Sequence, residues 1–165
     1  MIERCMVLAG RIRLELSELE RIVARTERAV AASQRHSKDE DQDLYLDAAA
    51  LNLHDFYAGL ERIFFQIAST IDGNVPAGPE WHRDLLRQMS IALQDIRPPV
   101  LTIQTTKALE EYLGFRHVVR NIYTFQFDPI RIGGLTQRLG KAFKQTQTDL
   151  LTFAEFLEIL SNNKK

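Results

Sequence analysis

The chain has 165 residues, of which 45% are hydrophobic and 26% are charged, and its formal net charge is −1. This length and composition fit one ordinary globular domain, spanning residues 1–165, with a sizeable core. The near-zero net charge excludes a general electrostatic binder of nucleic acid, so any anionic ligand has to be bound by a local cluster of cations.

Two long helices are predicted first. Apolar side chains recur every three or four positions through residues 2–30, which predicts one face of a long helix that includes the single cysteine, Cys5. A second helix with the same spacing is predicted from about residue 41 to residue 71. Gly59 lies inside it and costs about 1 kcal/mol relative to alanine there. We therefore expect another backbone, or a ligand, to approach the helix closely at Gly59.

The first helix also bears on location. Arg11, Arg13 and Glu15 occupy positions where a signal peptide needs its apolar region, and the chain has no apolar run long enough to span a membrane. The lone cysteine excludes an internal disulfide and suits a reducing compartment. We therefore expect a cytoplasmic protein without a membrane anchor.

Three further helices are predicted after the turn-forming segment at residues 72–80. A short helix at residues 80–90 ends before Pro98 and Pro99, and a fourth helix runs from about residue 102 to a stop at residues 127–129. There Asp128 is the expected N-cap and Pro129 the first residue of the last helix, whose tail at 161–165 we expect to fray. The predicted fold is all-α: an antiparallel bundle of four long helices with one short extra helix. Heptad-like spacing on the first and last helices would also allow a helical dimer interface.

The fourth helix carries an unusual amount of polar chemistry in the stretch FRHVVRNIY, residues 115–123. Its predicted buried seam consists of Ala108, Tyr112, Phe115, Val119 and Ile122. A neighbouring stripe steps by four and three positions through Leu109, Leu113, Arg116, Arg120 and Tyr123. His117 and Asn121 form an adjoining stripe, so one surface would present two guanidinium groups, an imidazole, an amide and a phenol.

Such a surface suits the handling of a phosphodiester. Arginine binds phosphate through two N–H groups and stabilises developing negative charge, and histidine near neutral pH can take a proton from a ribose 2′-hydroxyl. A structural alternative is that the arginines pair with acids at a helix–helix rim, such as Glu110, Glu111 or Asp128. No metal or other cofactor is expected, because the four histidines lack partners at metal-ligand spacing.

Three other positions have both a structural and a functional interpretation. Trp81 and His82 could stack on a base, although a core tryptophan and a histidine bonded to backbone is the favoured interpretation. His54 is on the buried face of the second helix and is interpreted as a core histidine with its hydrogen bonds satisfied. Glu61 or Arg62 could pair with an arginine of the fourth helix as a plain salt bridge.

The stretch FRHVVRNIY resembles the signature segment of the HepT-like proteins, which belong to the HEPN group of helical ribonucleases. That signature is an arginine, a polar residue, a few residues to a histidine, then one residue and a tyrosine. Arg116, His117 and Tyr123 match it, whereas Asn121 stands at the histidine position. The stretches 56-FYAGLERIF-64, 72-DGNVPAGPEWHRDLL-86 and 97-RPPVL-101 are also similar to one branch of the family.

The resemblance implies a dimeric helical bundle in which the motif helices of two protomers form a cleft. It implies a metal-independent endoribonuclease that is the toxin of a type VII toxin–antitoxin pair. Its expected partners are RNA and an MNT-type nucleotidyltransferase antitoxin, which neutralises the toxin by adding AMP to the motif tyrosine. Carried over, Arg116 and Arg120 would bind phosphate, and Tyr123 would accept AMP and sit in the catalytic set with Arg116, His117 and Asn121.

Asn121 departs from the family pattern, and an amide cannot act as a general base near neutral pH. Three interpretations are open. His117 could be the base, or Asn121 could orient the substrate or a water molecule. In the third, the protein is a weak or inactive member that acts by binding a partner or RNA.

Overall fold

The computed structural model describes residues 2–123 and 126–162. Its α-helices are α1 (Ile2–Arg35), α2 (Gln42–Ile67), α3 (Trp81–Met89), α4 (Ile103–Asn121) and α5 (Pro129–Asn162). Within these described ranges no β-strand forms, so the all-α bundle of four long helices and one short helix is confirmed. No helix in those ranges is long and apolar enough to cross a membrane. Of the tail expected to fray, residues 163–165 lie outside the described part.

Aromatic side chains join the helices around one core. α1 packs along both α2 and α5, and α4 lies against α2 and α5 on the other side. Phe56 of α2 makes edge-to-face contacts with Tyr112 of α4 and Phe143 of α5, at centroid distances of 5.4 and 6.4 Å. Such contacts add to the apolar area that these large side chains bury. The core therefore fixes α4 against α2 at the level where the polar stretch begins.

Gly59 lies where α2 packs against α1. A Cβ at this position would stand 2.7 Å from Cδ2 of Leu19 and 2.9 Å from Oε1 of Glu15. The atoms nearest to the glycine are therefore side-chain atoms, and not those of the second backbone that was expected.

The predicted end of the fourth helix is also wrong. α4 ends at Asn121, and Ile122 takes an extended conformation with φ −116° and ψ 138°. Ile122, predicted to be buried, is exposed. Asn121 turns its amide back, and its Nδ2 donates to the carbonyl of His117 at 2.8 Å. The side chain of Asn121 is thereby bonded to the backbone of its own helix, four residues back.

The start of α5 is as predicted. Pro129 is its first residue, and Oδ1 of Asp128 accepts a hydrogen bond from the backbone N–H of Ile130 at 2.9 Å. Proline suits this position because it lacks the N–H that would be unsatisfied there, and its φ is already helical.

A buried ion pair, the Asp72–Arg97 clasp, holds the connection between α2 and α4. α2 continues into a π-helical turn, Ala68–Asp72, which ends at the left-handed Gly73 (φ 67°). Arg97 Nε and Nη2 donate to the two carboxylate oxygens of Asp72 at 2.6 and 2.8 Å. Its other N–H groups donate to the carbonyls of Gln88, Ile91 and Pro98. All five guanidinium donors are therefore used.

Candidate functional site

A buried carboxylate organises the face of α4 that carries the candidate residues. Glu61 of α2 contacts Nη2 of Arg116 through Oε1 at 3.3 Å and Nδ1 of His82 through Oε2 at 2.6 Å. The side chains of Glu61, Arg116 and His82 are 8%, 12% and 24% exposed. The Glu61–His82–Arg116 cluster thus joins α2, α3 and α4. A largely desolvated carboxylate needs such paired cations and donors to remain charged.

The imidazole of His82 lies between two flat groups. Its ring stacks on the indole of Trp81 at a centroid distance of 3.6 Å and an interplanar angle of 32°. Nη1 of Arg116 is 3.0 Å from Nδ1 and 3.1 Å from Nε2 of the same ring. A donor aimed along one lone pair would be clearly nearer to one nitrogen, so the guanidinium lies over the ring face. The contacts therefore fix the plane of the imidazole.

A half-open cleft of about 420 Å³ runs beside this cluster, between the start of α3 and the second half of α4. Its lining consists of Pro79, Glu80, His82, Arg83, Leu113, Gly114, Arg116, His117 and Arg120. Arg120 and His117 are exposed, and neither side chain has an ion-pair partner within residues 2–123 and 126–162. Arg83 pairs with Glu80 at 3.0 Å. The cleft consequently presents uncompensated positive charge to solvent.

The structure brings together only part of the predicted set. Arg116, His117 and Arg120 line the cleft. Asn121 lies one turn beyond His117 with its amide bonded to backbone. Tyr123 follows the end of α4 and is 77% exposed. Contrary to the prediction, it does not continue the stripe of Arg116 and Arg120.

The structural alternative was that the arginines pair with Glu110, Glu111 or Asp128. For Arg116 this choice of partners is wrong. Its partner is Glu61, as one of the salt-bridge interpretations had it. Glu111 instead pairs with Arg138 of α5 at 3.0 Å. The interpretation of His82 as bonded to backbone is also wrong, because its partners are the side chains of Glu61 and Arg116.

Polar atoms without partners surround the buried side of Arg116. Its Nε, the hydroxyl of Tyr57 and Nδ1 of His54 are buried, and none has a hydrogen-bond partner within the part of the chain described. The interpretation of His54 as a satisfied core histidine is therefore wrong. Burial, and then the charge of Arg116, lower the pKa of His54 below its ordinary value. Burial, and then the charge of Glu61, raise the pKa of Tyr57. A neutral imidazole and a neutral phenol thus border the cluster at pH 7.

Tyr57 and Tyr112 provide a test, because one buried hydroxyl lacks a hydrogen-bond partner and the other has one. Tyr57→Phe should leave the free energy of unfolding unchanged or raise it by up to about 1 kcal/mol, because it removes an unpartnered buried hydroxyl. Tyr112→Phe should lower it by about 0.5–1.5 kcal/mol, because the Tyr112 hydroxyl donates to the carbonyl of Leu135 at 2.8 Å. Urea denaturation of both variants measures the difference. An equal loss of unfolding free energy in the two variants would contradict the conclusion that only the Tyr112 hydroxyl is hydrogen-bonded.

One group among the described residues has the composition of a metal site: His36, Asp39 and Asp41, in the exposed turn before α2. Nδ1 of His36 is 2.7 Å from Oδ2 of Asp39, and Oδ1 of Asp39 accepts from the backbone N–H of Asp41. The hydrogen bond from His36 lowers the pKa of Asp39. These hydrogen bonds explain why the three side chains lie together in this turn. None of the three residues lines the cleft.

His82 is the site residue whose partners the sequence analysis missed, and Glu61 was named only as one of several possible salt-bridge partners of an α4 arginine. They reach Arg116 from two other helices, so no spacing along α4 can indicate them. One signal was present: Glu61 stands between Leu60 and Phe64 on the buried side of α2, and a buried acid needs a partner.

Comparison with known proteins gives a family match. A family model described as HepT-like protein matches residues 48–157, which include α3, α4 and most of α2 and α5. The matched range therefore contains every residue of the cluster and the cleft. No curated protein and no solved structure matches the chain.

Proposed function

Because the chain belongs to the HepT-like proteins of the HEPN superfamily, we propose that it is a metal-independent endoribonuclease, the toxin of a type VII toxin–antitoxin pair. The observation that carries the proposal is the cationic cleft in which Arg116 and Arg120 stand beside two imidazoles. Its chemistry matches an RNA backbone, which offers a phosphate to the arginines and a 2′-hydroxyl to a base.

Arg116 is well suited to the phosphate role. Glu61 and His82 hold its guanidinium at the wall of the cleft, so little rotamer freedom is lost when a phosphate binds. Arg120 is one turn further along α4 and is free of ion pairs within the described ranges, so it can contact the same or the next phosphate. Their positive charges would stabilise the pentavalent transition state.

A non-catalytic binding protein is the second candidate, and Asn121 favours it. The amide of Asn121 caps the last turn of α4 and offers no group that exchanges protons near neutral pH. On this alternative the same cleft binds RNA or a protein partner, and Arg116→Ala would weaken binding with no cleavage to lose.

The proposed partners are RNA, a second copy of the chain and an MNT-type nucleotidyltransferase antitoxin. Tyr123 is the proposed site of AMP addition, and its exposure supports access by a transferase. The added phosphate and nucleoside would bring bulk and negative charge near the end of α4, where they would oppose an RNA phosphate at Arg120.

RNA cleavage in excess EDTA tests the proposal. We expect cleavage of single-stranded RNA, ends bearing 2′,3′-cyclic phosphate, and no cleavage of the matching 2′-O-methyl RNA. Co-expression with a nucleotidyltransferase of the MNT type should add one adenylate to Tyr123, detected by peptide mass spectrometry, with Tyr123→Phe as control. Intact RNA together with stable binding of the transferase would contradict the enzyme and favour the binding protein.

A further inference from the structure

The proposed function leaves the general base unassigned, and three histidines stand near Arg116. Candidates are His117 on the same helix, His54 on α2 and His82 on α3. A general base needs a free ring nitrogen facing the substrate and a partner that fixes its tautomer and orientation. The surroundings of the three rings differ in both respects.

His117 and His54 each lack one requirement. The side chain of His117 is exposed and has no carboxylate partner within the described ranges, so its ring is free to rotate. His54 has a buried Nδ1 without a partner and does not line the cleft. Neither ring is held in a defined orientation towards a bound phosphodiester.

His82 meets both requirements. Its Nδ1 is 2.6 Å from Oε2 of Glu61, so in the neutral ring Nδ1–H would donate to the carboxylate and Nε2 would carry the lone pair. Arg116 lies over the ring face, so its guanidinium does not point along that in-plane lone pair. Trp81 supports the opposite face. The ring lines the cleft and is 24% exposed.

We propose that His82 is the general base of the cleavage reaction and that Glu61 is its positioning residue. This inference rests on the proposed ribonuclease function. It explains how a chain with Asn121 at the family's histidine position can be active: the imidazole is supplied by α3. One carboxylate, Glu61, would orient both the base and the phosphate-binding Arg116.

The reaction balances without a further reagent. Nε2 of His82 takes the proton of the ribose 2′-hydroxyl, and the 2′-oxygen forms a bond to the adjacent phosphorus. The bond from phosphorus to the 5′-oxygen breaks, and that oxygen takes a proton from water. The products are a 2′,3′-cyclic phosphate and a 5′-hydroxyl, and His82 returns its proton to solvent.

Single-turnover cleavage in EDTA by His82→Gln and His117→Gln separates the candidates. We expect about a 100-fold or greater loss of rate for His82→Gln. The loss for His117→Gln should be clearly smaller, because His117 lines the cleft but takes no proton in this proposal. His36→Gln, outside the cleft, is the control that should leave the rate unchanged. The two cleft variants should bind 2′-O-methyl RNA nearly as wild type does, because Arg116 and Arg120 are retained.

Two further variants separate chemistry from structure. Added imidazole should restore part of the activity of His82→Ala, which a purely structural role of His82 would not allow. Glu61→Gln should lower kcat about tenfold or more, because the base loses its orienting partner, and a rise in KM would report on Arg116, which Glu61 also holds. Circular dichroism melts verify that each variant is folded.

The outcomes distinguish the two proposals. Undiminished cleavage by His82→Gln would overturn the assignment of the base while leaving the ribonuclease function intact. Loss of activity in His82→Ala that imidazole does not restore, in a folded protein, would reduce His82 to a structural role. Wild-type protein that leaves RNA intact would overturn both proposals.

Discussion

Replacement of Arg97 by methionine is expected to lower the free energy of unfolding by about 3–5 kcal/mol, the range for a buried pair that loses one partner. The side chains of Arg97 and Asp72 are 0% and 1% exposed. Methionine would leave the Asp72 carboxylate buried with Gln88 as its remaining donor, at 2.6 Å. It would also remove the donors to three backbone carbonyls.

Arg13→Met is the matched control for Arg97→Met. Nη2 of Arg13 donates to both carboxylate oxygens of Glu158, at 3.0 and 3.2 Å, but that pair is partly exposed. Its loss should cost no more than about 1 kcal/mol. The double variant Asp72→Leu/Arg97→Met should recover part of the loss because no buried charge remains. Guanidinium denaturation measures the free energy of unfolding of all three variants. Equal losses for Arg97→Met and Arg13→Met would contradict a special contribution of the Asp72–Arg97 clasp to stability.

Arg116→Lys is expected to reduce the rate of RNA cleavage by about 100- to 1000-fold, the range for loss of one preorganised transition-state donor. Lysine keeps the positive charge beside Glu61 but lacks the planar fork that binds two phosphate oxygens. The fold should persist because the carboxylate keeps a cation and His82 as partners. This prediction depends on the ribonuclease function.

Arg138→Lys is the control for Arg116→Lys, because Arg138 also pairs with a glutamate, Glu111, but does not line the cleft. Its rate should stay within about twofold of wild type, as expected for an exposed pair. The measurement is single-turnover cleavage in EDTA, with RNA affinity determined in parallel. Full activity of Arg116→Lys would remove Arg116 from the catalytic set.

Local patterns predicted the helices well because each buried face repeats its apolar residues over many turns. Asp128 and Pro129 mark the start of α5 by the chemistry of their own side chains. The end of α4 was mispredicted because the apolar spacing continues through Ile122 without a glycine or proline. The helix nevertheless ends at Asn121, seven residues before the cap of α5 at Asp128, and no residue type at that point marks the stop.

The candidate site also contains residues that local spacing predicts and residues that only the packing of helices brings together. Arg116, His117 and Arg120 belong to one helix, so their spacing alone predicts a shared surface. Glu61 and His82 reach that surface only because α2 and α3 pack against α4. Their sequence separation from Arg116 carries no information about this contact. The sequence therefore predicted the α4 side of the cleft and missed the side-chain contacts of His82.

The π-helical turn at Ala68–Asp72 restricts where residues can be inserted into or deleted from this chain. A π turn holds one residue more than an α turn, and here its last residue is the buried Asp72. Deleting one residue between 68 and 72 would restore α-helical spacing and rotate the chain beyond it by roughly 100°. Asp72 would then no longer face Arg97. Insertions and deletions should therefore be excluded from this turn.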